Sequence, residues 1–218
     1  MTLAWANCGY EVNLADHHQA RHSEVRIYLE GGGRNNKALR LDLQQSMRAF
    51  LKRAGVNPLP KVIACGGRQA TYDAFCKALG LSAKSILLVD SEGPLTEEFR
   101  WSHLSQRDGW KKPTEATGEH CHLMVQQMES WFLADIEALE RYYGKNFHKK
   151  SLPPNQHPET VDRRRLIQAL EKASKETTKG SYSKGKHQCD ILRGIDPERV
   201  RLSCPHCDKL FDICRKWD

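Results

Sequence analysis

Residues 85–93 read Ser-Ile-Leu-Leu-Val-Asp-Ser-Glu-Gly, an unbroken apolar run that ends in two acidic side chains. A strand that is apolar at every position is typical of a parallel sheet covered on both faces. Residues 25–33 follow the same plan, because a short β-prone run there ends at Glu30 and three glycines. We therefore predict two strands that each carry acid at the carboxyl end.

Segments with helical periodicity separate these strands. Residues 37–54 place apolar side chains at spacings of three and four, and residues 69–79 do the same after a further apolar strand at 62–65. A fourth strand is predicted at 122–126. Strands that alternate with helices of this length form a largely parallel sheet through right-handed crossovers. The expected fold is α/β, with a mostly parallel central sheet of about four strands flanked by helices.

The rest of the chain gives weaker signals. Residues 94–118 indicate a long loop with short helical pieces, residues 128–143 one helix, and residues 161–174 a basic helix. The glycine-containing stretch 179–187 predicts a mobile basic loop. A last helix is expected from Cys204 to Trp217.

Composition bounds the class of protein. The 218 residues are 39% hydrophobic and 28% charged, which is ordinary for a soluble globular chain. No run approaches the roughly 18 to 20 apolar residues of a membrane helix, so we expect a cytoplasmic protein with reduced cysteines and no membrane partner. The length suggests one domain with an elaboration. We divide the chain into a loosely ordered leader at 1–24, a core at 25–145 and a basic helical C-terminal elaboration at 146–218.

The acids at the strand ends predict a metal site. Ligands of open α/β sheets bind beyond the carboxyl ends of the strands, where Glu30, Asp90 and Glu92 would meet if the first and third strands are neighbours. A divalent cation would remove the repulsion between these carboxylates, and oxygen ligands suit Mg²⁺ or Mn²⁺. The alternative for an isolated acid-x-acid sequence is a solvated turn. The second acidic strand end favours the metal site.

The same residues resemble the TOPRIM pattern of topoisomerases, primases and OLD-type nucleases, in which a Glu follows the first strand and an Asp-x-Asp follows a later one. More closely, residues 64–68, 88–92 and 121–135 are similar to an uncharacterised bacterial TOPRIM-like family whose genes often neighbour those of AAA-type ATPases. The resemblance spans about Val25 to Arg201. The chain departs from the general pattern at Glu92, where a second Asp is usual.

The resemblance implies a TOPRIM-like catalytic core that hydrolyses phosphodiesters of DNA or RNA. Glu30 would be a metal ligand or general base, Asp90 the principal ligand and Glu92 a second ligand. Glu129 is the candidate for an extra carboxylate, and the alternative is an acid at the start of a helix. The resemblance also implies the effector subunit of an antiphage defence system that works with an AAA-type ATPase.

Other functions stay open. The alternative to a nuclease is a non-catalytic subunit that binds nucleic acid or the ATPase and whose acids are structural. Synthesis, as in primases, lacks a nucleotide-triphosphate motif in this sequence. The net charge of +7 fits nucleic acid as a partner, although many basic proteins bind none.

Basic side chains near glycines are candidate phosphate contacts. Arg34 follows Gly31-Gly32-Gly33 and Arg68 follows Gly66-Gly67, where the backbone can approach an anion closely. A plain tight turn is the alternative at both places.

The basic stretch near the C-terminus is a candidate clamp on the nucleic-acid backbone. Tyr182 would be available to stack on a base. A solvated basic loop is the alternative, and the resemblance favours the clamp because the family carries a similar pattern of Lys-Gly, Tyr, Lys-Gly and His. The clamp residues are Lys179, Lys184, Lys186 and His187.

Cys204-Pro205-His206-Cys207 could be part of a zinc site. A zinc ribbon normally shows a second paired knuckle, and this sequence has one. We therefore predict buried thiols at Cys204 and Cys207, with structural zinc as the alternative.

Overall fold

A central parallel sheet organises the molecule. The computed structural model describes residues 24–33, 35–81, 84–95, 99–154 and 157–217. All pairings between the four described strands are parallel, and the strand order is β2-β1-β3-β4. The predicted α/β fold with a parallel sheet of about four strands is therefore confirmed. The strands are β1 Arg26–Glu30, β2 Lys61–Gly66, β3 Ser85–Asp90 and β4 Cys121–Met124.

Helices cover both faces of this sheet. Those in the described residues are α1 Lys37–Arg53, α2 Arg68–Leu79, α3 Arg100–Asp108, α4 Ile136–Tyr143, α5 Arg163–Ser174, α6 Lys184–Gly194, α7 Pro197–Ser203 and α8 Pro205–Lys216. Short 3-10 segments occupy Gly118–His120, Met128–Asp135, Lys149–Ser151 and Pro158–Thr160.

The first helix shows how the sequence sets these bounds. The side chain of Asn36 caps α1 by accepting a hydrogen bond from the backbone N–H of Leu39 at 2.9 Å. Leu43, Met47 and Phe50 then fall on one face and are fully buried. α1 therefore packs on the sheet through the apolar stripe that its sequence predicts.

The sheet separates two apolar cores. Ile27 and Leu29 of β1 point, with Leu88 of β3, into a large core that includes α1, the segment Met128–Asp135 and the C-terminal helices. Tyr28 and Leu87 point to the opposite side, into a smaller core with α2 and α3. Alternate side chains of both strands are thus buried on opposite faces, as expected for a covered parallel sheet.

Two predictions of helices and loops need correction. Residues 128–143 are not one helix, because a fully buried 3-10 segment runs to Asp135, whose carboxylate caps α4 at the backbone N–H of Ala138. The predicted mobile loop at 179–187 is only partly a loop, because α6 begins at Lys184. The predicted last helix is confirmed to within one residue at each end, since α8 runs from Pro205 to Lys216, and the separate helix α7 precedes it.

The described ranges contain no helix with the length and apolar character needed to cross a bilayer. Residues 1–23 of the predicted leader lie outside the described residues.

Candidate functional site

The pairing of β1 with β3 brings two acids together. Leu29 pairs with Leu88, so both strands end at the same edge of the sheet. The backbone N–H of Asp90 donates to Oε2 of Glu30 at 3.3 Å, although the two residues are 60 positions apart in the chain. The proximity of Glu30 and Asp90 is therefore as the sequence predicts.

Arg68 holds this edge of the sheet together. Its Nη1 donates to Oε2 of Glu30 at 3.0 Å and to the carbonyl oxygen of Asp90 at 2.5 Å. Its Nε and Nη2 donate to the two carboxylate oxygens of Asp108 at 2.9 and 2.7 Å, and the guanidinium lies 5.0 Å from the ring centroid of Trp110. All four donor contacts of Arg68 are thus made within the protein, whereas the sequence predicts a contact with a bound anion.

Asp90 belongs to a buried network that reaches the C-terminal helices. Its Oδ1 accepts from the backbone N–H of Met128 at 3.0 Å, and its Oδ2 accepts from Nζ of Lys184 at 3.3 Å. The same ammonium lies 3.5 Å from Oε2 of Glu129, whose Oε1 accepts from the hydroxyl of Tyr182 at 2.7 Å. Lys184 thus bridges Asp90 and Glu129, and one lysine at the start of α6 compensates two carboxylates.

Burial and charge act in opposite directions on Lys184. Burial disfavours the ammonium, but Asp90 and Glu129 outweigh that effect and raise the pKa of Lys184 above its ordinary value. Lys184 therefore stays protonated at neutral pH.

Glu92 lies on the outer side of the cluster. Its Oε2 forms ion pairs with Arg163 at the start of α5 and with Arg107 of α3, the latter at 3.2 Å. Its backbone is left-handed, with φ of 64°, and its N–H donates to the carbonyl of Gln126 at 3.0 Å. The turn after β3 thus holds the Glu92 carboxylate against two arginines.

A cavity of about 300 Å³ lies at the carboxyl edge of the sheet. Glu30, Asp90, Glu92 and Lys184 line it together with glycines 31–33. Gly32 needs to be glycine, because its φ is +83° and an added Cβ would come within 2.8 Å of the Cα of Arg40. The glycine turn after β1 is therefore closely fitted against α1 and leaves the cavity open.

The pKa of Glu30 is also strongly shifted in this cavity. Burial raises its pKa, the negative charge of Asp90 raises it further, and Arg68 opposes both, so that the pKa is about 7. A carboxyl group with this pKa can give up or accept a proton near neutrality.

The predicted clamp is only partly at the surface. Lys179 lies with Nζ 4.5 Å from the ring centroid of Tyr142, and Nζ of Lys186 donates to the carbonyl of Lys179 at 3.2 Å. His187 is only 1% exposed, and its Nδ1 lies 3.2 Å from the hydroxyl of Tyr143. Tyr182 is buried against Glu129. Tyr182 and His187 both pack in the core, so in this structure Tyr182 is not available to stack on a base and His187 is not placed to contact a nucleic-acid backbone.

Arg34, the other predicted phosphate contact, lies outside the described residues. Sequence reasoning missed the arginines that pair with Glu92 and the bridge formed by Lys184. Long-range ion pairs leave no local signal, and only the Lys-Gly-Lys pattern at residue 184 indicated a basic group of some kind.

The sequence predicts a Mg²⁺ or Mn²⁺ site at the strand ends and leaves zinc at Cys204 and Cys207 as an alternative. The oxygen ligands and the negative charge of Glu30, Asp90 and Glu129 fit a hard cation, and Oε2 of Glu129 is buried with the ion pair to Lys184 but no hydrogen bond. Within the described residues, however, no group of three or more His, Cys, Asp or Glu side chains is arranged to hold one ion. The Mg²⁺ or Mn²⁺ site therefore stays a prediction. Cys204 and Cys207 are buried free thiols, and burial raises the pKa of each.

Comparisons with known proteins give one family. Searches of curated proteins and of solved structures found no match. The family described as "Domain of unknown function (DUF4276)" matches residues 15–213, which include the sheet, the acidic cavity and most of the C-terminal helices. Since the match covers most of the chain, this protein belongs to that family.

Proposed function

We propose that this chain is a TOPRIM-like, metal-dependent nuclease that hydrolyses phosphodiesters of DNA or RNA. The observation that carries the proposal is the meeting of Glu30 and Asp90 at the carboxyl ends of adjacent parallel strands, where α/β proteins bind their ligands. The resemblance to the TOPRIM pattern rests on these same residues.

The carboxylates of Glu30 and Asp90 would hold Mg²⁺ or Mn²⁺, with Glu92 and Glu129 as further ligands. When bound, such an ion polarises a phosphate and lowers the pKa of the attacking water. Binding would require Lys184 to move from Asp90, or Arg163 and Arg107 to release Glu92, because these groups now compensate the carboxylates.

The residues of the chain would act directly on the substrate. As the alternative to ligating the ion, Glu30 would be the general base, because with a pKa of about 7 in the metal-free chain it is able to accept the proton of the attacking water at neutral pH. Lys184 is protonated and its side chain is 46% exposed at the cavity, so its ammonium can contact a phosphate oxygen. Arg68 would keep Glu30 and the end of β3 in position, while Arg34, Lys179 and Lys186 would contact the backbone of the nucleic acid.

The partners follow from charge and resemblance. The net charge of +7 supports a nucleic-acid substrate, since basic side chains displace counterions from phosphates. The proposal of an AAA-type ATPase partner in a cytoplasmic antiphage system rests on the family resemblance.

A second function is favoured by one observation. Each carboxylate in the cavity is already paired with a basic side chain of the same chain, as Glu30 is with Arg68 and Asp90 with Lys184. A cluster that is neutralised in this way can be structural. The chain would then be a non-catalytic subunit that binds nucleic acid or the ATPase.

A cleavage assay separates the two functions. Single- and double-stranded DNA and RNA are incubated with the chain in Mg²⁺, Mn²⁺ or EDTA, with and without the ATPase. Asp90→Asn keeps an oxygen for the N–H of Met128 and removes the charge, and Glu30→Gln is the matched change on β1. We expect each to reduce cleavage by about a hundredfold or more, the scale of one acid-base or electrostatic contribution.

The control is Glu176→Gln, since the Glu176 side chain is 66% exposed and pairs only with His148 among the described residues. This variant should cleave like the unaltered chain. Binding of nucleic acid without metal-dependent cleavage, even with the ATPase present, would support the non-catalytic function instead.

A further inference from the structure

The ammonium of Lys184 lies where two buried carboxylates meet. Its Nζ is 3.3 Å from Oδ2 of Asp90 and 3.5 Å from Oε2 of Glu129. The second oxygen of each carboxylate has another partner. Oδ1 of Asp90 accepts from the backbone N–H of Met128, and Oε1 of Glu129 accepts from the hydroxyl of Tyr182. The two remaining oxygens therefore converge on one positive charge.

Glu129 depends on this charge. Among the described residues, Lys184 is the one basic side chain that forms an ion pair with Glu129. The Glu129 side chain is fully buried, and its Oε2 accepts no hydrogen bond. An ionised carboxylate that is buried without a cation strongly destabilises a protein. The space between Asp90 and Glu129 is thus a cation site, and the chain fills it with its own lysine.

Lys184 also connects this space to the acidic cavity. It is the first residue of α6, its side chain is 46% exposed, and it lines the cavity together with Asp90. Oε2 of Glu129 has almost no exposed surface, and the ammonium lies against it. Removal of the lysine side chain would therefore join the space that Nζ fills to the cavity and uncover both oxygens.

We propose that Lys184 takes the place of a second divalent cation at Asp90 and Glu129. The inference rests on the proposed nuclease function and refines its ligand set. With Lys184 in position, Glu30, Asp90 and Glu92 hold a single Mg²⁺ or Mn²⁺, and Glu129 binds the lysine instead of the ion. Carboxylate oxygens suit these hard cations, so loss of the lysine would create a second metal site.

This arrangement has a consequence for catalysis. In two-metal sites, ions about 3.5 to 4 Å apart stabilise the attacking and the leaving oxygen. An ammonium fixed between Asp90 and Glu129 supplies one of these positive charges without exchange with ions in solution. Lys184 would therefore provide charge at the substrate phosphate at any concentration of metal.

The test counts bound Mn²⁺ by electron paramagnetic resonance, in which the free ion gives the signal, and it needs no nucleic acid. It is run at about pH 8, above the pKa of Glu30 of about 7. The unaltered chain should bind one ion with a Kd below about 0.1 mM, and Lys184→Ala should bind one more. Lys184→Arg keeps the charge and should bind as the unaltered chain does.

Two further variants locate the additional ion. Lys184→Ala combined with Glu129→Gln lacks one carboxylate of the second site and should lose the additional ion, although Glu30 and Asp90 are unchanged. Lys77→Ala is the matched control, as Lys77 is exposed on α2 outside the cavity. It should bind as many ions as the unaltered chain.

Thermal unfolding gives a second readout. In EDTA, Lys184→Ala leaves Asp90 and Glu129 without their shared cation and should unfold at a lower temperature than the unaltered chain. Mn²⁺ at about 1 mM should recover most of the difference, because the additional ion binds only the folded state.

Three results would overturn the proposal: Lys184→Ala binds no additional ion, the unaltered chain already binds two, or the variant stays unfolded in Mn²⁺. A different result would contradict the metal site of the proposed function. In that case the unaltered chain binds no ion while Lys184→Ala binds one, which supports the role of Lys184.

Discussion

Glu30 shows how the fold changes the chemistry of one side chain. At the end of β1 it is partly buried beside Asp90, and Arg68 offsets only part of the resulting penalty on its negative charge. The proton that an exposed glutamate loses near pH 4.5 is kept up to about pH 7. Ionisation of Glu30 therefore reports directly on the assembly of the acidic cavity.

This shift has a consequence for stability. Because the folded chain keeps the Glu30 proton to higher pH than the unfolded chain, the free energy of unfolding should fall as pH rises from about 4.5 to 7 in metal-free buffer. A shift of this size corresponds to about 3 kcal/mol. Glu30→Gln cannot ionise and should lack this contribution.

The measurement is urea unfolding of both proteins at several pH values with EDTA. The difference between the two proteins is the relevant quantity, because buried His122 has a lowered pKa and contributes a slope of the opposite sign in the same range. A difference that does not change with pH would show that the Glu30 carboxyl titrates normally.

The positions of single residues could be predicted where the order of strands and helices along the chain fixes them. Glu30 and Asp90 follow apolar strands, and parallel strands end at a common edge, so their meeting could be foreseen. The contact of Arg68 with Asp108 could not be predicted, because Asp108 is the last residue of α3, a helix that the sequence signals weakly.

At the scale of elements, the segment Met128–Asp135 connects the acidic cavity to the core. Every residue of this 3-10 segment is buried, and Glu129 at its start reaches both Lys184 and Tyr182. Burial and the nearby Glu129 carboxylate raise the pKa of Tyr182, so its hydroxyl stays protonated and donates. The hydroxyl of Tyr182 is the one hydrogen-bond donor to Glu129 Oε1 among the described contacts.

Tyr182→Phe should therefore destabilise the protein. The change leaves a buried carboxylate oxygen without its donor, at a cost of about 2 kcal/mol. Chemical denaturation measures the difference in free energy of unfolding. Tyr142→Phe is the control, since its hydroxyl makes a 3.4 Å contact with Asp190 at the surface, and it should change stability by less than about 0.5 kcal/mol. Equal effects of the two changes would contradict the burial of the Glu129 network.

Helices and strands could be predicted from the sequence where their apolar residues recur at a regular spacing. Each apolar run flanked by turns became a strand, and α1 follows its spacing of three and four. Residues 128–135 are buried on every side, so their sequence shows no alternation of polar and apolar positions with a helical period. The sequence therefore could not distinguish a 3-10 segment from the start of an α-helix. The stretch after Lys184 contains glycine and lysine, which favour a loop, but its apolar side chains pack against α1 and make it helical.

At the scale of the whole molecule, the C-terminal helices complete the main core. Phe50 of α1 stacks on Trp131 with ring centroids 5.6 Å apart and also contacts Phe211 of α8 at 5.5 Å. Leu166 of α5 and Leu192 of α6 are fully buried in the same cluster. The predicted C-terminal elaboration therefore covers one face of the sheet.

A fragment that ends at residue 145 should not fold stably. It would lack α5 to α8 and would expose Phe50 and Trp131, each worth about 3 to 5 kcal/mol when its packing is lost, which approaches the whole stability of an ordinary domain. Thermal unfolding followed by circular dichroism should show a cooperative transition for the full chain and none for the fragment. A sharp transition in the fragment would show instead that residues 25–145 are an independent unit.

The burial of Met128–Asp135 has a further consequence during synthesis. This segment leaves the ribosome well before the helices that cover it, because α5 to α8 all follow it in the chain. At translation rates of roughly 5 to 20 residues per second, Trp131 and Phe132 stay uncovered for several seconds in the nascent polypeptide. That interval is when a chaperone, or another newly made chain, would bind them.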